Sequence, residues 1–479
     1  MLSSLIVLPL IGAIFIFFIE KSNFIFIRNF SLFWSLLVFN CSIFLLCFFN
    51  SLSWDFQFLE EINWLFFTNN NFIFGIDGLS LLMILLTSFL TPICILLSWT
   101  LKNKNQIKDY TILFLILESI LIGVFSSLDL LVFYILFEAV LIPMYFIVGI
   151  FGSRGRKVKA SYLLFLYTLV SSLIMFIAIL FLYFKTGSTN YFLLRTIELN
   201  PFAEKLCWFA FFLSFAVKMP LIPFHVWLPE AHCEAPTAGS VILAGILLKL
   251  GGYGFLRFSL GLFPESSAFF TPFIYTLSSF GVIYASLTTL QQIDLKKIIA
   301  YSSVGHMGLV TIGIFSSNFQ GIFGSILLMF SHGITSSALF LAIGLLYERH
   351  HTRIVKYYSG LIHSMPIFSI SFIIFTLANL GLPATSNFIG EFFVLVGCFK
   401  TNIWCSFLAG TGMVLGAGYS LWLCNRILFG NVKRNSIVFF RDLNRREFAM
   451  FLPFIFLTFF IGLYPDSFLN FLKHSFIFV

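Results

Sequence analysis

Lys218 lies in the middle of an apolar run, Leu206 to Leu228, and is followed by Pro220 and Pro223. A charged ammonium costs about 2.5–3.5 kcal/mol at a bilayer centre, so it persists where it lines a wet pathway or meets a partner. The prolines add to the oddity, because they leave backbone carbonyls without helical donors. Three more charges are embedded in the same way: Glu138 in Leu128 to Phe151, Lys249 in Val241 to Phe258, and Glu391 in Phe368 to Phe399. Together the four would cost on the order of 10 kcal/mol. Any one of them is explained equally well by snorkelling or by a satisfied site inside a bundle. Four in one chain point to a proton or ion path.

The elements that must hold these groups follow from composition. Of the residues, 59% are hydrophobic and only 10% charged, and apolar runs recur along the whole length. This is the signature of an all-α polytopic membrane protein, since about 20 apolar residues span the hydrocarbon core. Fourteen candidate spans begin near Leu2, Phe24, Leu79, Tyr110, Leu128, Ala160, Leu206, Val241, Phe269, Lys297, Gly321, Phe368, Phe407 and Phe448. Short connections leave no room for a soluble domain, so residues 1–479 read as a single membrane domain.

The net charge of +8 does not imply nucleic acid, because the basic residues are scattered among loops without a continuous patch. Their distribution speaks to orientation instead. Odd-numbered loops hold 20 of the 28 Lys and Arg, among them Lys102, Lys104, Lys108, Arg154, Arg156, Lys157, Lys159, Arg445 and Arg446; even loops and tails hold 6, and Lys218 and Lys249 are the other two. The positive-inside rule places the odd loops on the cytoplasmic or matrix side and both termini opposite.

The eight cysteines show no C-x-x-C spacing and mostly lie inside spans, as buried apolar residues do. A zinc site or an iron-sulfur cluster would need clustered thiolates, and no nucleotide-binding glycine fingerprint stands in context. No metal, cofactor or redox centre is therefore expected in this chain. No basic signal region or Arg-rich presequence precedes the first span. The 68 Phe, with much Ile and Asn, suit an A/T-rich genome such as an organelle's, although Phe facing lipid in place of Leu explains them too. Alternation at Ser53 to Phe58 and at Asn69 to Asp77 predicts a short hairpin on the terminus-facing side.

Segments seven and twelve share a defect. The first is broken at Pro220 and Pro223 and the second at Gly381-Leu382-Pro383. As one helix, Phe368 to Phe399 would measure roughly 48 Å, too long for a simple span. Breaks five spans apart suggest two inverted five-helix repeats, 110–258 and 269–428, with the pathway at the breaks. Glu138 then corresponds to His306, and Lys218 to the region of Glu391.

The run from Lys218 through His225 and His232 to Lys249 and Gly254 resembles the antiporter-like subunits of respiratory complex I. Supporting stretches are Phe74 to Ser80, Leu136 to Pro143, Ala300 to Gly308, Ser331 to Ser337 and Asn387 to Phe392. The resemblance covers segments three to twelve. Leu247-Leu248-Lys249 separates the chain from a sister branch with a histidine-bearing sequence there. Stand-alone multi-subunit sodium/proton antiporters share the ancestry and are the alternative, with a bacterial plasma membrane as the alternative location.

The resemblance implies a proton-translocating subunit in the mitochondrial inner membrane, both termini facing the intermembrane space. It implies NAD, FMN, iron-sulfur clusters and ubiquinone in partner subunits, neighbouring antiporter-like subunits as partners, and contact with membrane lipids. By family analogy Glu138 pairs with Lys218, Lys249 relays laterally, and Glu391 serves the exit or the link to the next subunit. Opening the Lys218–Glu138 pair would strand a buried charge and favour proton release. His225, His306 and His332 can pass protons through either ring nitrogen near neutral pH. Each role has a duller competitor. Lys249 could pack among its glycines, Glu391 could cap a half-helix, and the histidines, His232 included, could be satisfied core residues. Glu118, in segment four, stands apart from this constellation. A solute transporter would need more polar groups beyond the titratable line, and a passive scaffold would not need the charges.

Overall fold

The computed structural model describes residues 1–63, 71–101, 103–432 and 441–473. Lys102 of the basic-loop set, and Asn69 and Asn70 of the second expected strand, lie outside the described residues. Helices dominate, because in hydrocarbon a helix satisfies its backbone within its own segment. In chain order they are α1 (Leu2–Phe18), α2 (Phe24–Phe48), α3 (Gly78–Leu96), α4 (Ile107–Ser126), α5 (Leu130–Phe151), α6 (Lys157–Thr186), α7 (Pro201–Lys218) and α8 (Trp227–Glu234). There follow α9 (Thr237–Leu262), α10 (Pro264–Gln291), α11 (Leu295–Phe315), α12 (Phe319–His350), α13 (Pro366–Leu380), α14 (Ser386–Thr401), α15 (Ile403–Leu428) and α16 (Arg445–Leu463).

Among the described residues eleven helices are long and apolar enough to cross a membrane: α2 to α6, α9 to α12, α15 and α16. Helices α1 and α13 are apolar but shorter. The apolar middles of α9 and α12 are wholly buried, whereas most of α2 and α15 faces outward. The two interior helices carry Lys249 and His332.

Both interruptions fall at the expected prolines. Helix α7 ends at Lys218, where Met219 N–H still reaches Phe215 O (2.8 Å) and Leu221 N–H steps back to Ala216 O (2.9 Å). The carbonyl of Val217, freed by the break, accepts instead from the indole N–H of Trp227 at the start of α8, at 2.9 Å. Helix α13 ends at Gly381, whose φ of +79° is a left-handed cap that glycine adopts without Cβ strain. The chain then turns through Pro383 and resumes as α14.

Loop contacts sort the connections into two faces. On one face Leu128 N–H donates to Ile73 O, Leu130 N–H to Thr189 O, and the Asp77 carboxylate pairs with Arg257. On the other, Leu295 N–H donates to Arg353 O, Ser153 N–H to Glu234 O, and Gly360 N–H to Phe429 O. The basic connections around Arg154, Lys297 and Arg353 share this second face.

The hairpin is present with its first strand displaced. Strand β1 (Gln57–Asn63) pairs antiparallel with β2 (Asn71–Ile76), so it starts after most of the expected Ser53–Phe58 stretch. Gln57 is hydrogen-bonded to the Asn50 backbone through both side-chain ends, which holds residues 50–56 in a turn. Phe58 at φ 52° and a register shift between Gln57 and Glu60 then bend the strand entrance.

Candidate functional site

Lys249 sits on α9 between two wider π-helical stretches, Leu243–Leu247 and Phe255–Ser259. Such stretches re-aim backbone groups and recur at functional sites. Here the Lys249 ammonium donates to Ala244 O at 2.5 Å. The nearby glycines allow α9 its place at the centre. A Cβ at Gly251 would meet Phe215 O of α7, and one at Gly252 would collide with Met329 of α12.

From Lys249 a line of side chains crosses three further helices. Its Nζ is 3.0 Å from Nδ1 of His332 on α12. The His332 ring lies 5.3 Å, centroid to centroid, from the ring of His306 on α11. His306 Nδ1 is 3.1 Å from Oε1 of Glu391 on α14. All four are buried, His306 being the most exposed at 7%. A cavity of about 30 Å³, lined in part by His306, Glu391, Ser302 and Tyr419, adjoins the far end. That volume is roughly one water molecule's share of the liquid. Gly381, at the α13 break, lies so close to the Glu391 carboxylate that a side chain there would strike it. The second interruption therefore makes room for the acid.

Lys218 and Glu138 are neighbours without being joined. The Lys218 ammonium donates to Phe137 O at 2.9 Å and lies 3.6 Å above the Phe137 ring. Among the described residues no ion pair links it to Glu138. The Glu138 carboxylate adjoins Ser172 of α6 and Tyr134, and its Oε1 has no partner within the described protein. The expected pair is thus open in this structure, with the Phe137 carbonyl and ring holding the cation in place of a carboxylate.

Three further groups stand off the line. His225, in the turn after Pro223, packs its ring against Tyr284 and Tyr301 at 5.7 and 6.2 Å. His232 on α8 stacks on Phe340 at 4.5 Å. Glu118 on α4 accepts from Thr91 of α3 at 2.7 Å. Sequence reasoning missed Lys296, which is 0% exposed and donates to Ala235 O at 2.7 Å and Ser240 Oγ at 3.1 Å. Its only sequence signal is the pair Lys296-Lys297 at a span edge, which reads as loop charge. It missed Arg257 as well, buried and paired with Asp77 at 2.5 Å.

Residues 127–416 match the family described as NADH:quinone oxidoreductase/Mrp antiporter, TM. The chain is 59% identical over 469 residues to NADH-ubiquinone oxidoreductase chain 4 of Marchantia polymorpha, covering 98% of this chain and 94% of that one. It is 58% identical over 462 residues to the chain 4 protein of Chondrus crispus, covering 96% and 94%. It superposes with a TM-score of 0.89 on a chain of respiratory complex I from Thermus thermophilus with bound NADH, at 28% identity and with 99% and 98% of the two chains covered. The chain therefore belongs to the NADH:quinone oxidoreductase/Mrp antiporter transmembrane family, within the group of NADH-ubiquinone oxidoreductase chain 4.

Proposed function

We propose that the chain is the antiporter-like, proton-pumping chain 4 subunit of respiratory complex I, and that protons move along Lys249, His332, His306 and Glu391. The observation that carries this reading is the line itself: four buried titratable groups from four helices in sequential proximity. Its ends are a base that is cationic when loaded and an acid that is anionic when unloaded. Moving one proton from Lys249 to Glu391 neutralises both ends at once, which a low-dielectric interior favours over two separated charges. The imidazoles make the transfer stepwise. His332 accepts at Nδ1 from the Lys249 ammonium and releases from Nε2, and His306 hands on to Glu391 from Nδ1.

Lys218, Glu138 and His225 form the other half of the path. The open Lys218–Glu138 pair corresponds to a state in which Lys218 is free to exchange its proton with the Lys249 side, and closure onto Glu138 would hold it. NADH oxidation and ubiquinone reduction, with NAD, FMN and iron-sulfur clusters, belong to partner subunits, and the neighbours in the membrane are other antiporter-like subunits. The fourteen-span count, the repeats at 110–258 and 269–428, and termini facing the intermembrane space of the mitochondrial inner membrane remain part of this reading. The two breaks and the sorting of loops onto two faces support it. Lys218→Met in the assembled complex tests the other half. Proton pumping falls about tenfold or more if Lys218 relays, and unchanged pumping at normal assembly overturns its role.

A further inference from the structure

We propose that Lys296 is an intake relay for this path, receiving protons from a cavity on the basic-loop face and passing them by way of His232 to Lys249 and His332. The inference rests on the reading of the Lys249 line given above. A cavity of about 290 Å³, lined by Arg154, Glu230, Glu234, Asp294 and Lys297, opens where the loops after α5 and α10 meet α8. Two carboxylate oxygens there, Glu234 Oε2 and Asp294 Oδ1, are buried without a partner within the described protein. Lys296 lies immediately inside. Its ammonium touches the carbonyl of Ala235, the residue after Glu234, and the hydroxyl of Ser240.

Ser240 places His232 beside Lys296, its Oγ donating to the backbone carbonyl of that histidine at 3.2 Å. His232 is 0% exposed, and neither ring nitrogen has a partner within the described protein. Its ring lies flat on Phe340, with 6° between the planes, so the stack fixes its orientation. The imidazole interacts electrostatically with both Lys296 and Lys249, and His332 with His232 in turn. A proton arriving at Lys296 therefore repels protons already on the inner groups, and a loaded intake pushes the line forward.

The dull account is that Lys296 caps the carbonyl end of α8, where a cation suits the helix dipole. Arg353 already donates to Cys233 O at that end. Capping leaves unexplained why a fully buried histidine with two unpartnered nitrogens stands between two buried lysines.

The two accounts differ on arginine and glutamine. Lys296→Arg keeps the cation and the donors, but a guanidinium does not deprotonate in proteins; Lys296→Gln keeps donors without a proton to give. Both are compared with wild type in the intact complex, reconstituted in liposomes and energised with NADH and a short-chain ubiquinone, with assembly checked on a native gel. The relay expects both to pump about tenfold slower or worse, and pumping within about twofold of wild type in either assembled variant overturns it. If neither assembles, His232→Phe, which keeps the stack and loses the nitrogens, decides by the same margins. Lys249→Met is measured alongside. If it pumps normally, the reading of the whole line falls; if it fails while the Lys296 variants pump normally, only the intake falls.

Discussion

Lys249 and His332, each 0% exposed, share a contact of 3.0 Å across the α9–α12 interface, and among the described residues no carboxylate forms an ion pair with the lysine. An imidazole partner makes a channel element of what would otherwise be a fixed buried charge, because it can take the proton at one ring nitrogen and pass it on from the other, after which both groups are neutral. His332 and His306 then act in series. His332→Leu and His306→Leu should each slow NADH-driven pumping about tenfold or more, and the double variant should be no slower than the worse single. Losses that multiply in the double variant would mean two independent routes.

Gly381 and Glu391 bind the second helix break to the acid at the end of the line. Gly381→Ala forces a left-handed residue to carry a Cβ and drives that Cβ against the carboxylate. The backbone alone costs roughly 1–2 kcal/mol. Lower thermal stability of the assembled complex, together with slowed pumping, is the expected result. A variant as stable and as active as wild type would show that the carboxylate has room to move away.

Arg257 and Asp77 bind α9 to the start of α3 by a pair in which both side chains are under a tenth exposed. Asp77 also caps α3 through a reciprocal bond with Ser80. Asp77→Ala removes the cap and leaves a buried guanidinium uncompensated, which costs roughly 3–5 kcal/mol. Loss of the assembled complex on a native gel is expected for Asp77→Ala, with partial recovery in Asp77→Asn, which keeps the capping oxygen.

On the hairpin face, burial pushes the Glu60 carboxyl up, but hydrogen bonds from the Met1 amino group, the Ser3 side chain and the Ser3 and Leu2 amides outweigh it and hold the group down at about 2, against an ordinary value of 4.5. A depressed acid stabilises the fold when ionised. Its contribution is complete above pH 4.5 and disappears as pH falls towards 2. Hydrogen exchange of the first turn of α1 should be faster in Glu60→Gln than in wild type near neutral pH, and the difference should shrink through that window. A difference independent of pH would assign the effect to packing.

Much of this arrangement was legible in the chain. Lys218, Lys249 and Glu391 stand out because each interrupts an apolar run, and Pro220 and Pro223 place the first break at the residue where α7 stops. Lys296 was hidden because it lies at a span edge, where a lysine usually snorkels; only the packing of the α8 end over it brings it to 0% exposure. The open state of Lys218 was equally invisible, since spacing shows that α5 carries Glu138 but not that the lysine donates to the Phe137 carbonyl instead. The start of β1 moved because the Asn50–Gln57 hydrogen bonds are a property of the folded turn, not of alternation.

Whether protons cross by the Lys249–His332–His306–Glu391 line is decided by proton pumping in liposomes containing the complex with Lys249→Met. The account expects electron transfer from NADH to an artificial acceptor to stay at the wild-type rate while pumping falls about tenfold or more. Pumping at the wild-type rate in that assembled variant would contradict it.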